Sequence, residues 1–140
     1  MHVIYRISEN GYPKEKPEYI NNANCFRNAR FVFDRSKWIT IADKVASDTK
    51  LLLEESRGEV KYVEIGHGAG TFNMALDIAL GLPDEETVYF LENDYLHDYH
   101  AERVLESAFD LDFEYVTLYD HPDKYMNPYE GGNPFCSNRS

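Results

Sequence analysis

Hydrophobic and polar positions along this chain switch repeatedly between a period of two and a period near 3.6, and each switch marks off an element. Residues 2–7, His-Val-Ile-Tyr-Arg-Ile, are rich in β-branched and aromatic side chains and predict a strand at the start of the chain. Residues 8–18 carry Gly11, Pro13 and Pro17 among mixed charges and predict a loop. Over residues 19–33, the apolar groups Ile20, Ala23, Phe26, Ala29, Phe31 and Phe33 recur at roughly helical spacing. A second strand over residues 38–42 runs into Asp43. Ser47-Asp48-Thr49 then opens a helix through Leu51, Leu52 and Leu53, with Ser47 or Asp48 as its cap, and Gly58 closes it.

The same alternation continues. A third strand over residues 60–65 turns tightly through Gly66-His67-Gly68-Ala69-Gly70 into a helix over residues 71–80, with Phe72, Ala75, Leu76, Ala79 and Leu80 on its apolar side. Gly81 and Pro83 end that helix. The fourth strand begins at Val88 and stops abruptly in Glu92-Asn93-Asp94. A helix over residues 100–109 and a fifth strand over 113–119 follow, the strand ending in Asp120-His121-Pro122. Beyond Asp123 the chain turns to Tyr, Asn, Pro and Gly with neither period, which predicts one α/β domain over residues 1–125 and an irregular segment over 126–140. Strands alternating with helices imply crossover connections and a mostly parallel, Rossmann-like sheet with helices on both faces.

Composition narrows the function classes. At 140 residues the chain is long enough for one buried core, and a net charge of -11 excludes a general binder of nucleic acid polymers, which needs clustered Lys and Arg. A single nucleotide remains compatible, because backbone amides and a bound metal can hold its phosphates. The two cysteines, Cys25 and Cys136, have no zinc-type spacing and predict reduced thiols. No apolar run is long enough to span a membrane, and the start lacks a signal-peptide core, so a cytoplasmic protein is predicted.

Three strand ends carry the candidate chemistry: Asp43, the Gly66-to-Gly70 turn, and Glu92 with Asp94. In open α/β sheets that edge is where ligands bind. Side chains two apart on an extended segment point the same way, so Glu92 and Asp94 are expected to converge on a hard cation, Mn²⁺ or Mg²⁺. The alternative is an acidic turn in which Asp94 caps the next helix. Asn93 points away and is expected to be structural. His97 and His100 are read as turn or helix-surface residues. Asp120 and His121, at the end of the fifth strand, are expected to face a ligand or to form a polar turn before Pro122.

Two family resemblances follow from these motifs. Val63-Glu64-Ile65-Gly66-His67-Gly68-Ala69-Gly70 resembles the glycine-rich first motif of S-adenosylmethionine-dependent methyltransferases, and Glu92 ends the next strand, where such enzymes place an acid for the ribose. The second resemblance covers more chain. Ile41-Ala42-Asp43-Lys44-Val45-Ala46-Ser47-Asp48-Thr49 is similar to the acidic turn after the second strand of family-2 GT-A glycosyltransferases, with one residue extra. Gly70 through Ala79, including Asn73, resembles the helix leading to that family's metal strand. Glu92-Asn93-Asp94 matches its D-x-D motif, with Glu in the first place. The segments Glu92-Asn93-Asp94-Tyr95-Leu96-His97 and Tyr119-Asp120-His121-Pro122-Asp123-Lys124-Tyr125 also resemble small phage and bacterial glycosyltransferase-like proteins.

The glycosyltransferase resemblance accounts for the first 60 residues, which the methyltransferase one leaves without a role. It implies that Asp43 contacts the base of a UDP- or GDP-sugar, that Arg6 and Ser8 lie beside the nucleotide, and that Gly70 and Asn73 belong to the donor site. Asp94 with Glu92 would bind the metal that bridges the diphosphate, with transfer to an unknown acceptor. The family's general base lies well beyond the metal motif, in an acceptor half without a counterpart here. The expectation is therefore a donor-binding half that stops early, prone to self-association through an uncovered sheet edge. A non-catalytic nucleotide- or sugar-binding remnant is the third reading.

Overall fold

The structure is a computed structural model, and it describes residues 1–9, 15–111 and 113–119. The order of elements is β1 (His2–Ser8), α1 (Asn22–Val32), β2 (Lys37–Asp43), α2 (Ser47–Glu54), β3 (Glu59–Val63), α3 (Gly68–Leu80), β4 (Val88–Glu92) and α4 (Ala101–Phe109). All strands run parallel in one four-stranded sheet of order β3-β2-β1-β4. The chain forms two units, Met1–Tyr99 and His100–Ser140. The sheet and the site described below belong to the first. In the second, α4 carries Ala101, Glu102 and Leu105 as its buried positions. The expected boundary at residue 125 lies outside the described residues, as do Asp120, His121 and Cys136.

β1 is hydrogen-bonded on both sides, and its residues are the most buried: Val3, Ile4 and Tyr5 have no exposure and Ile7 is 1 % exposed. Consecutive buried apolar residues at Val3, Ile4 and Tyr5, rather than alternate ones, mark a strand covered on both faces. Alternation sorts its side chains between two layers. Tyr5 meets Phe26 of α1 and Trp38 of β2, with ring centroids 5.4 and 5.8 Å apart, and Phe33 meets Tyr89 of β4 at 5.1 Å. On the other face Ile4, Ile41 and Ala75 of α3 form a buried cluster, joined by Val63, Ile78, Val88 and Phe90. Helices therefore cover both faces, and the fold is the Rossmann-like α/β arrangement expected.

Some expectations are corrected. Residues 113–119 contain no strand, so the parallel sheet stops at four among the described residues. Val and Thr content favours a strand there, but pairing with a neighbour makes one, and none is made. α3 begins at Gly68, three residues before the expected start at Thr71, so most of the glycine turn is helix. Neither Ser47 nor Asp48 caps α2. The cap position is Ala46, which has no side chain to offer, and a carboxylate from β1's end takes the role. Among the described residues no helix is long and apolar enough to cross a membrane.

Candidate functional site: a polar cleft at the switch point of the sheet

The order β3-β2-β1-β4 contains one reversal. From β1 the chain steps outward to β2 and β3, then α3 carries it back across the sheet to β4 on the other side of β1. At such a switch point the loops leaving adjacent strands diverge and open a crevice at the carboxyl edge. A cleft of about 900 Å³ lies there. Its walls include Arg6, Ser8 and Glu9 from β1 and its end, Asp43 from β2, and Glu92, Asn93 and Asp94 from β4 and its end. The first turns of the helices add Asn21, Asn22 and Ala23, Asp48 and Thr49, and Gly68 and Thr71.

Asp43 is 3 % exposed, and both its oxygens are committed: Oδ1 accepts from the Ile65 N–H and Oδ2 from the Gly66 N–H, each at 2.7 Å. A carboxylate with a backbone N–H on each oxygen is satisfied without a cation. Its work is to hold the β3–α3 turn. Gly66 completes that turn at φ +82, where a Cβ would stand 2.8 Å from Lys44 Nζ. His67 caps α3 by accepting the Gly70 N–H on Nδ1 at 3.0 Å, which puts the neutral ring's proton on Nε2.

Arg6 ties α3 to β4. Its Nη1 donates to the Gly68 carbonyl at 3.0 Å and to Thr71 Oγ1 at 3.2 Å, and its Nη2 donates to Glu92, its register partner on β4. The guanidinium also lies over the Phe72 ring, 5.1 Å from its centroid. The period of two that would align Asp94 with Glu92 ends with β4 at Glu92. Glu92 faces the α3 side with Arg6. Asp94 acts instead on Tyr5 and Cys25, which belong to the α1 side, and its Oδ2 accepts from Lys16 Nζ at 3.2 Å. Its Oδ1 is buried and has no partner, and the same is true of the Tyr5 hydroxyl. Burial pushes the Tyr5 phenol far up and the Cys25 thiol up, and the Asp94 charge adds to both.

Between the two carboxylates, Asn93 Nδ2 donates to the Ser8 carbonyl at 3.3 Å and to Asn22 Oδ1, fixing the strand end to α1. Glu9 accepts from Thr49 Oγ1 and from the Ala46 N–H, the latter at 3.4 Å, and so replaces the missing α2 cap. His97 is turned inward, with Nε2 2.9 Å from the Tyr89 hydroxyl, and Asn28 holds its backbone by Oδ1 on the N–H at 2.7 Å and Nδ2 on the carbonyl at 3.0 Å. Burial pushes this imidazole down to about 4, so it is neutral at physiological pH. The same burial pushes the Tyr89 phenol up to about 12.

Of the residues singled out from sequence, Arg6, Ser8, Asp43, Glu92 and Asp94 share the cleft. Gly70 and Asn73 do not line it; Asn73 is exposed on α3. Sequence reasoning passed over Lys16, Glu9 and Arg27, all on the cleft wall. Only Arg27 left a trace, since it stands four residues after Ala23 on one face of α1. Among the described residues no group of three His, Cys, Asp or Glu side chains is poised for a metal ion.

Comparison of the chain with protein-family models, with characterised proteins and with solved structures found no match in any of the three.

Proposed function

We propose that this chain is a glycosyltransferase-like protein that binds a UDP- or GDP-sugar in the cleft. The observation that carries the reading is the cleft itself: about 900 Å³, lined mostly by charged and polar residues, and astride the β1/β4 switch point, where α/β sheets take nucleotides. Glu92-Asn93-Asp94 forms one wall of it.

A divalent ion suits the Asp94 side of the cleft. Asp94 Oδ1 is a buried acceptor without a partner, the kind of oxygen a hard cation takes, and substrate phosphates and water commonly complete such a shell. Mn²⁺ or Mg²⁺ there would supply Lewis-acid stabilisation of a departing diphosphate. Glu92 joins that shell only by sharing its carboxylate with Arg6. Arg6 and Ser8 flank the nucleotide in this reading, and Asp43 serves indirectly by holding the turn on which Gly68 and Thr71 face the cleft.

Calorimetric titration with UDP and GDP, with and without Mn²⁺, tests the proposal beside S-adenosylmethionine. Nucleotide binding that Mn²⁺ strengthens, and that Asp94→Ala weakens by about tenfold or more, is the expected result. Absence of nucleotide binding under every condition would overturn it. Metal-independent S-adenosylmethionine binding, indifferent to Asp94→Ala, would move the function to the glycine loop.

A further inference from the structure

We infer that Arg27 is the anion-binding side chain of the cleft, the group that takes the phosphate of the ligand. The inference rests on the nucleotide reading for the ligand's identity, but not for the existence of the anion site. It follows from asking which charges on the cleft wall are already matched. Glu92 holds Arg6, Asp94 holds Lys16, Asp43 is satisfied by two backbone amides, and Glu9 caps α2. Among the described residues, Arg27 and Asp48 are the charged wall residues with no such partner. They stand on different helices, Arg27 on α1 and Asp48 on α2.

Placement agrees with this assignment. Arg27 follows Ala23 by four residues, so both lie on one face of α1, and both line the cleft. A planar guanidinium offers a fork of N–H donors that fits two phosphate oxygens at once, which a strongly hydrated ammonium does less well. The chain as a whole carries -11 and repels an anion from a distance. An anionic ligand therefore needs a local cation that is not already neutralised, and Arg6 and Lys16 are.

Titration of the full chain with inorganic pyrophosphate and with UDP, each in EDTA and again with Mn²⁺, tests the assignment. The variants are Arg27→Gln, Arg27→Lys and, as an equal change in net charge away from the cleft, Arg57→Gln. Arg27→Gln should weaken pyrophosphate and UDP by about 10- to 100-fold in EDTA. Arg27→Lys should recover part of that loss, and Arg57→Gln should stay within about twofold of the parent. Equal pyrophosphate affinity in Arg27→Gln and the parent would overturn the inference, as would an equal loss in Arg57→Gln, or no pyrophosphate binding by the parent chain. If the parent binds pyrophosphate through Arg27 yet binds neither UDP nor GDP, the anion site stands and the nucleotide reading falls. All three variants replace an exposed side chain, and far-UV circular dichroism checks that each remains folded.

Discussion

Replacing Asp43 by Ala should cost this protein about 3–4 kcal/mol, although the residue forms no ion pair among the described residues. The magnitude comes from its two bonds. The carboxylate is 3 % exposed and accepts from Ile65 N and Gly66 N, both at 2.7 Å. A hydrogen bond to a charged group contributes roughly 1.5–3 kcal/mol net, and a buried donor left without a partner costs about 1–3 kcal/mol. Ile65 is half-buried and Gly66 exposed, so water can reach in and recover part of the loss, which favours the lower end of the sum of two. Asp43→Asn should be nearly as damaging, because its amide places a donor against one of the two N–H groups. Urea unfolding followed by circular dichroism gives the stability, and amide hydrogen exchange at Ile65 and Gly66 localises it. Those two amides should exchange much faster in either variant, while amides in β1 fall only with global stability. A loss below about 1 kcal/mol in Asp43→Ala, with Ile65 and Gly66 still protected, would refute the reasoning.

Acid should expose the buried imidazole of His97. Its folded value near 4 lies below the ordinary 6.5, so the unfolded chain binds the extra proton first, and stability present above about pH 6.5 is lost as pH falls toward 4. Fully expressed, that gap is worth about 3 kcal/mol; solvent screening of a partly buried ring reduces it to about 1–2 kcal/mol. His97→Gln, which keeps an acceptor for Tyr89, should flatten the stability difference between pH 7 and 5 by this amount in urea melts, and an unchanged slope would count against the burial argument. The glycines of the β3–α3 turn should separate sharply. Gly70→Ala sets a Cβ 2.5 Å from Ile65 Cγ2 and 2.7 Å from His67 Cε1 and should destabilise by about 1–3 kcal/mol. Gly68→Ala meets nothing within 4 Å in the first turn of α3 and should be neutral or stabilising by up to about 1 kcal/mol, both read from thermal melts.

Much of the fold was legible in the chain because its elements are local. Strand and helix runs announce themselves by the period of their apolar residues, and residues 2–7 read as a strand before any partner is known. Alternation of strands and helices then implied a parallel sheet, and strand ends named Asp43, Glu92 and Asp94 as residues at one edge. Where local reading failed, a distant group had intervened. Residues 113–119 have strand-forming side chains but pair with no strand among the described residues. Ser47 and Asp48 are good capping residues, but Glu9, about 40 positions away, supplies the cap for α2.

The partners of each charge were decided only in three dimensions. Arg6 and Glu92 are 86 positions apart, Lys16 and Asp94 are 78 apart, and Asp43 reaches 22 positions to Ile65. Composition and spacing specify which side chains can ionise and which way they point along their own element. They do not specify which strand lies beside which, and that order, β3-β2-β1-β4, sets both the register that joins Arg6 to Glu92 and the reversal that opens the cleft. Whether a carboxylate at a strand end is free for a ligand depends on what the rest of the fold has already brought to it. Periodicity acts over a few residues, whereas these pairings form only when the chain returns on itself.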